Sequence, residues 1–170
     1  MSTELREISI RGRLAIALHC FASACQSRGL LDHPEVQLLI DQMWKAVGPE
    51  GANFPKWDET KPLLVCVGLG DEFPPDFLAF LEAKGVDKTE FRSFVGNVVE
   101  IVFSNAYGAS NNDRTLNFLT AAVELAHRWD CQCPDPKRFV TSRWADKHGW
   151  GNILSKEELA DWRRSPEPSS

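Results

Sequence analysis

The sequence predicts a single all-α domain, an irregular bundle of about six helices with a long loop and an irregular C-terminal segment. Apolar residues recur at helical spacing through most of the chain, and the one strand-like run, residues 63–69, has no second candidate to pair with. A chain of 170 residues can bury one sizeable core but is short for two. The domain therefore spans residues 1–170, and we expect the chain to fray from Ser165.

Two helices open the predicted fold. Apolar positions between Leu14 and Cys25 follow helical spacing, which predicts a helix over residues 9–28. The run Asp32-His33-Pro34 supplies a cap and a first-turn proline for a second helix, which ends at Gly48. Because the connection between them is short, we expect a helical hairpin.

The middle of the chain is the least regular part of the sequence. Residues 48–62 contain glycines and prolines without an apolar period, which predicts a long loop that Phe54 and Trp57 pin to the body. Residues 63–69 form an apolar run too short for periodicity to distinguish strand from helix, and we favour helix because no partner strand exists.

Caps and apolar spacing predict four further helices. Their starts are marked by prolines at residues 74–75 and by the capping residues Asp87, Asn111 and Ser155. Gly96 interrupts the central helix of this set, which predicts that a neighbouring helix approaches closely there. The predicted helices cover residues 73–85, 87–102, 111–129 and 155–162.

Composition excludes several classes of protein. The formal net charge of −5 disfavours general nucleic-acid binding, and no apolar run approaches the roughly 20 residues of a membrane-spanning helix. Five cysteines are an odd and sparse set, which favours a reducing cytoplasm. The apolar stretch from Leu14 imitates a signal peptide, but Glu4, Glu7 and His19 do not fit that pattern.

Catalytic motifs are absent from the sequence. The pair Gly68 and Gly70 lacks the third glycine of a dinucleotide loop, and no P-loop or His-Glu-x-x-His motif occurs. We therefore predict no enzyme activity, no cofactor and no metal. One alternative remains open, a small metal- or thiol-dependent enzyme using His127, Cys131 and Cys133, although their spacing is not that of a zinc site. The other cysteines, Cys20, Cys25 and Cys66, are expected to pack as small hydrophobic residues.

Charge is unevenly distributed along the chain. Residues 48–76 contain six acids and two lysines in loops and helix starts, whereas residues 128–150 contain five cations and three acids. An acidic surface carried by loops suits a basic protein partner, because complementary potential speeds encounter. A surface that only keeps the protein soluble, as in a regulatory subunit, is the alternative.

Five short segments share a pattern with a known family. RLAIALHCF at residues 13–21, GLLDHP at 29–34 and LLIDQMW at 38–44 bear a resemblance to the opening hairpin of small bacterial immunity proteins encoded beside polymorphic toxins. NAYGA at 105–109 and HGWGN at 148–152 strengthen it. It implies a cytosolic, non-catalytic protein that binds and neutralises one toxin domain, often an enzyme with a basic active-site surface.

Charge and loop position then select the residues of a toxin interface. Tyr107 and Trp150 are expected instead to fix turns within the fold. The oligomeric state stays open. The predicted interface consists of five acids, Asp58, Glu59, Asp71, Glu72 and Asp76, with Trp57 as the aromatic anchor.

Overall fold

The computed structural model describes residues 3–166 and has the predicted all-α fold. Within these residues the chain forms nine α-helices and no strand, with one isolated antiparallel bridge between Ile8 and Arg143. The helices are α1 (Thr3–Glu7), α2 (Ile10–Ser27), α3 (Pro34–Val47), α4 (Phe54–Asp58), α5 (Leu63–Gly68), α6 (Pro75–Ala83), α7 (Lys88–Phe103), α8 (Asn112–Arg128) and α9 (Lys156–Arg163).

The predicted opening hairpin is confirmed as α2 and α3, which pack against each other. Ser9 caps α2 by accepting a hydrogen bond from the Gly12 backbone N–H. His33 caps α3, since its Nδ1 accepts from the Glu35 N–H at 3.1 Å. The cap is the histidine rather than the aspartate before it, because an imidazole nitrogen can accept in the same geometry.

Helix α2 is the centre of the molecule. Its residues from Ile10 to Phe21 are all buried, and it packs against α3, α7 and α8. Helix α7 in turn packs between α5 and α8. The close approach predicted at Gly96 is confirmed: a Cβ there would lie 3.6 Å from the Gly68 carbonyl oxygen, and one on Gly68 would lie 3.0 Å from Val99 Cγ2.

The predicted long loop contains regular structure. Residues Pro49–Ala52 form a 3₁₀ turn, and α4 follows it. The prediction that residues 48–62 lack regular structure was wrong, because capping and aromatic packing, rather than an apolar period, stabilise α4. The Asn53 side chain accepts a hydrogen bond from the Lys56 N–H. Phe54 and Trp57 pin the segment as predicted, packing on Phe103 of α7. Helix α5 confirms the helical interpretation of residues 63–69.

The C-terminal segment packs on α2 and on the residues that precede α2 in the chain. The Ser9 N–H donates to the Ser142 carbonyl at 3.0 Å, and the Trp144 N–H donates to the Glu7 carbonyl at 2.7 Å. Phe139 is fully buried in the core. The predicted cap of the last helix is confirmed, since Ser155 forms a complete capping box with Glu158. The predicted fraying beyond Ser165 concerns mainly residues 167–170, which lie outside the described residues.

No helix in the described range is both long enough and apolar enough to span a bilayer.

Candidate interaction surfaces

The five predicted acids form two groups at opposite ends of α5. Asp58 and Glu59 lie at the end of α4, and Asp71, Glu72 and Asp76 lie between α5 and the first turn of α6. All except the half-buried Asp58 are exposed. Because α5 has six residues and rises about 1.5 Å per residue, the groups flank a helix about 9 Å long. We call these five residues the acidic surface.

Asp58 is the most engaged member of the acidic surface. Its Oδ1 accepts from Lys61 Nζ at 2.7 Å, and its Oδ2 lies 3.5 Å from the Tyr107 hydroxyl. The hydrogen bond to Asp58 raises the pKa of the Lys61 ammonium above its ordinary value. The negative charge of Asp58 is therefore largely compensated by the Lys61 ammonium, so Asp58 attracts a partner less than the other four acids do.

Trp57 is not available as an interface anchor. Only 4% of its surface is exposed, and its indole N–H donates to the Gln42 carbonyl at 2.8 Å. Gln42 Nε2 donates back to the Trp57 carbonyl at 2.8 Å. This prediction was wrong because a loop tryptophan with a backbone acceptor in reach packs inward, where its large apolar ring is removed from water.

Tyr107 is the exposed aromatic residue beside the acidic surface. It is 75% exposed, its ring packs edge-on to Phe54 with centroids 5.2 Å apart, and its hydroxyl approaches Asp58. Tyr107 lies in the turn that follows α7, where it was expected, and it also presents most of its surface to solvent. The sequence signal that could have found it is its setting, a lone tyrosine among alanine and glycine outside any helical apolar stripe.

The second acidic group lies on a fixed backbone. Arg92 Nη1 donates to the carbonyls of Val67 at 3.2 Å and Asp71 at 2.9 Å, and its guanidinium stacks over Phe73 at 4.8 Å. Its Nη2 lies 3.6 Å from the Glu72 carboxylate, whose side chain remains 96% exposed. The loop is thus held through its backbone while its carboxylates stay in water.

A groove of about 670 Å³ lies between residues 105–110 and residues 144–150. Trp144 and Trp150 contribute aromatic lining, the exposed Lys147 contributes an ammonium group, and the exposed His148 contributes an imidazole. We call it the C-terminal groove. It brings together the two late segments that resemble immunity proteins, NAYGA and HGWGN, which lie more than 35 residues apart in the chain. The expected role of Trp150 in packing this turn agrees with its half-buried position.

The backbone of this groove is strained. Lys147 and His148 have φ of 50° and 57°, and Gly149 and Gly151 have φ of 93° and 77°. Left-handed backbone is unfavourable for residues with a Cβ and persists only where the surroundings impose it. A Cβ on Gly151 would lie 2.2 Å from Ser142 Oγ, so only glycine fits there.

Two buried arginines of α2 lie against the tryptophan rings of this groove. Arg13 donates to the carbonyls of Leu5, Arg6 and Asn112 and to the Asn112 side chain, at 2.5–3.0 Å, and stacks 4.6 Å from the Trp144 ring centroid. Arg11 donates to three carbonyls at the end of α3 and lies 6.0 Å from Trp150. Burial lowers the pKa of Arg13 to about 10, so it stays a cation at neutral pH.

One of the predictions for the cysteines was wrong. Cys20 forms a disulfide with Cys133 and is not the free hydrophobic residue expected from its apolar stretch. The sequence could not show this pairing because 113 positions separate the two residues. Cys25 and Cys66 are free as expected, and burial raises the pKa of the Cys25 thiol.

The residues of the alternative enzyme site have different environments. His127 is exposed on α8, Cys131 is buried with its Sγ 3.3 Å from Ser27 Oγ, and Cys133 belongs to the disulfide. No group of three or more His, Cys, Asp or Glu side chains within residues 3–166 is arranged to hold a metal ion.

Comparisons of this chain with protein-family models, with characterised proteins and with solved structures find no match. The resemblance to immunity proteins therefore stays a prediction carried by the short segments on which it rests.

Proposed function

We propose that this protein is a non-catalytic immunity protein that binds and neutralises one cognate bacterial toxin domain in the cytoplasm. The observation that carries the proposal is a set of exposed acids on a fixed frame, beside an exposed tyrosine. Glu59, Asp71 and Asp76 have no ion-pair partner within 4 Å among residues 3–166. Their charge is therefore available to a partner.

The two acidic groups are close enough for one partner to contact both. Asp71 is bonded to Arg92 near the start of α7, and Asp58 approaches Tyr107 just beyond its end, where α4 packs on Phe103. Arg92 and Phe103 lie about 16 Å apart along the axis of α7. An interface of ordinary size, about 800 Å² on each partner, covers that distance.

The chemistry of this surface suits a basic partner. Exposed acids increase the rate of encounter with a positively charged surface and contribute less to the final affinity. Tyr107 supplies what the acids lack, a rigid ring with an apolar body and a polar end, and such residues are frequent energetic centres of interfaces. A toxin with a basic active-site surface has the complementary properties.

A cell-survival experiment tests the proposal. The chain is co-expressed with the toxin-like reading frame adjacent to its own gene, and we expect survival together with a complex that co-purifies. Killing without rescue would contradict the immunity function. Rescue without a complex would contradict neutralisation by binding.

Charge reversal tests the acidic surface within that complex. The double variant Asp71→Lys/Glu72→Lys should slow association at least tenfold at low salt, because it reverses the steering charge, and should leave thermal stability nearly unchanged. The matched control is Glu124→Lys/Glu157→Lys, which makes the same charge change at two exposed positions outside this surface. Equal association rates for the two variants would exclude the acidic surface as the interface.

The compartment is tested separately. Disulfides such as Cys20–Cys133 persist mainly in oxidising compartments, so a cytoplasmic protein should contain this pair as thiols in the cell and form the bond after lysis. Alkylation of thiols in intact cells, followed by mass spectrometry, measures the fraction of Cys133 that is reduced. Full oxidation in the cell would contradict the cytoplasmic assignment and leave the binding function untouched.

A further inference from the structure

We propose that the C-terminal groove binds a carboxylate-rich segment of the partner protein. The proposal takes the identity of the partner, a toxin, from the proposed function, but the preference of the groove for acidic peptide is a property of this chain alone. It adds a second contact, of opposite charge, to the acidic surface.

The charge of the lining determines the class of ligand. Lys147 and His148 are exposed, and none of the described residues that line the groove is acidic. Asp146 precedes them but is half-buried and does not belong to the lining. The ammonium and imidazole groups donate hydrogen bonds to carboxylate oxygens, and charge assistance makes those bonds stronger than neutral ones.

The size and the walls of the groove suit a peptide segment. A volume of about 670 Å³ lies in the range of pockets that enclose small ligands or a few side chains. Trp144 and Trp150 provide flat apolar surface for the methylene groups of acidic side chains, whose carboxylates then reach the Lys147 ammonium and the His148 imidazole. Ala106, Gly108 and Ala109 line the opposite side of the groove, and their small side chains leave its volume open.

The groove is fixed to the core of the protein. The Ser9 and Ser142 hydroxyls are 2.6 Å apart, the Trp144 N–H donates to the Glu7 carbonyl, and the two arginines of α2 lie against the Trp144 and Trp150 rings. A fixed site loses little conformational entropy on binding. Strained backbone maintained by such contacts is characteristic of functional sites, and here it presents Lys147 and His148 to solvent.

The position of the groove favours a protein over a nucleic acid as the ligand. The 105–110 segment lines the groove and also carries Tyr107, whose hydroxyl lies 3.5 Å from Asp58 of the acidic surface. A phosphate backbone at the groove would meet those acids and the net charge of −5. A protein with an acidic segment beside a basic surface complements both, and opposite charges at two points fix its orientation.

A peptide titration tests the proposal without the toxin. The full-length ¹⁵N-labelled protein is titrated with hexaglutamate at 150 mM salt and followed by the indole N–H resonances. We expect saturable shifts at Trp144 and Trp150 and at the amides of residues 105–110, with the core indoles of Trp57 and Trp162 unmoved. Lys147→Glu should weaken binding at least tenfold. The control is Lys137→Glu, an exposed cation of the same segment outside the groove, which should bind as the wild type does.

Three outcomes would overturn the proposal. They are the absence of shifts at Trp144 and Trp150 up to millimolar peptide, equal weakening by Lys147→Glu and Lys137→Glu, and tighter groove binding by a hexathymidine oligonucleotide. If Lys147→Glu alters the amide spectrum of the whole protein, His148→Gln replaces it and should weaken binding at least threefold; unchanged affinity would count equally against the proposal. Because the titration contains no toxin, its failure is distinguishable from failure of the survival assay.

Discussion

The buried cations of α2 and the exposed acids around α5 are charged groups used in opposite ways. Arg13 is fully buried, and its guanidinium donates to four oxygens of three residues. Asp71 is exposed, and its contact with Arg92 is made through its backbone carbonyl, which leaves the carboxylate in water. The terminal nitrogens of the buried Arg13 guanidinium are bonded inside the fold, whereas the carboxylate of the exposed Asp71 has no ion-pair partner among residues 3–166.

This difference separates stability from binding. A buried ionised group without its bonds is unfavourable by several kcal/mol, so removing the groups that satisfy it destabilises the fold. An exposed charge contributes about 0–1 kcal/mol to stability even when it is paired, and it remains free to attract a partner. Substitutions on α2 should therefore affect unfolding, and substitutions on the acidic surface should affect association.

The largest effect is expected from the disulfide that ties α2 to the C-terminal segment. The Cys20–Cys133 bond closes a loop across 113 positions, and the double variant Cys20→Ser/Cys133→Ser should lose about 4–5 kcal/mol of unfolding free energy because the unfolded chain regains loop entropy. Urea denaturation measures the loss. A reductant should destabilise the wild type by a similar amount and leave the double variant unchanged. A reductant-insensitive wild type would show that α2 holds the segment without the covalent bond.

The next effect sharpens the contrast between buried and exposed cations. Arg13→Met should lower the free energy of unfolding by about 3 kcal/mol, because the carbonyls of Leu5, Arg6 and Asn112 lose a charged donor. Arg6→Met is the control: its ion pair with Asp113 is exposed, and we expect a loss below about 1 kcal/mol. Similar losses for both variants, measured by urea denaturation, would contradict the distinction between buried and exposed cations.

The smallest expected effect is a pH dependence of stability that arises from His19, which connects α2 to α9. His19 is buried with its Nε2 2.6 Å from the Trp162 carbonyl oxygen, and burial lowers its pKa below the ordinary 6.5. The unfolded chain therefore binds a proton before the folded one, so the stability from neutral His19 is complete above pH 6.5 and is lost as the pH falls through the lowered pKa of the folded state.

His19→Gln, whose amide can still donate to Trp162, should flatten the decline in stability between pH 7.5 and pH 5.5. Urea midpoints across that range measure the slope. His127→Gln, which changes an exposed histidine, should keep the wild-type slope. A slope for His19→Gln as steep as that of the wild type would exclude His19 as its source.

Much of the fold could be predicted from local patterns, because helices are stabilised by contacts between neighbours in sequence. The apolar spacing of α2, α3, α7 and α8 and the caps at Asp87 and Asn111 lie within a few residues of the backbone groups they satisfy. The missed helices, α1 and α4, have five residues each and are too short to show a period. Helix α4 is stabilised by the Asn53 cap and by the packing of Phe54 and Trp57 on Phe103.

The candidate surfaces were only partly predictable. The four exposed acids follow from charge and loop position, which are properties of the sequence. The side on which an aromatic ring packs is not. Trp57 packs inward, where its indole N–H donates to the Gln42 carbonyl, whereas Tyr107 is 75% exposed. The C-terminal groove could not be predicted, since its two walls are distant in the chain.

The sequence by itself determined the longer helices, most of their caps and the sign of the charge around α5. Only the tertiary structure decided that Cys20 meets Cys133, that the arginines of α2 satisfy carbonyls from three other segments, and that residues 105–110 and 144–150 enclose one groove. The physical reason is the distance along the chain over which each interaction acts. Helix formation and local charge depend on residues a few positions apart, whereas burial and site geometry depend on which distant segments the packed core brings into contact.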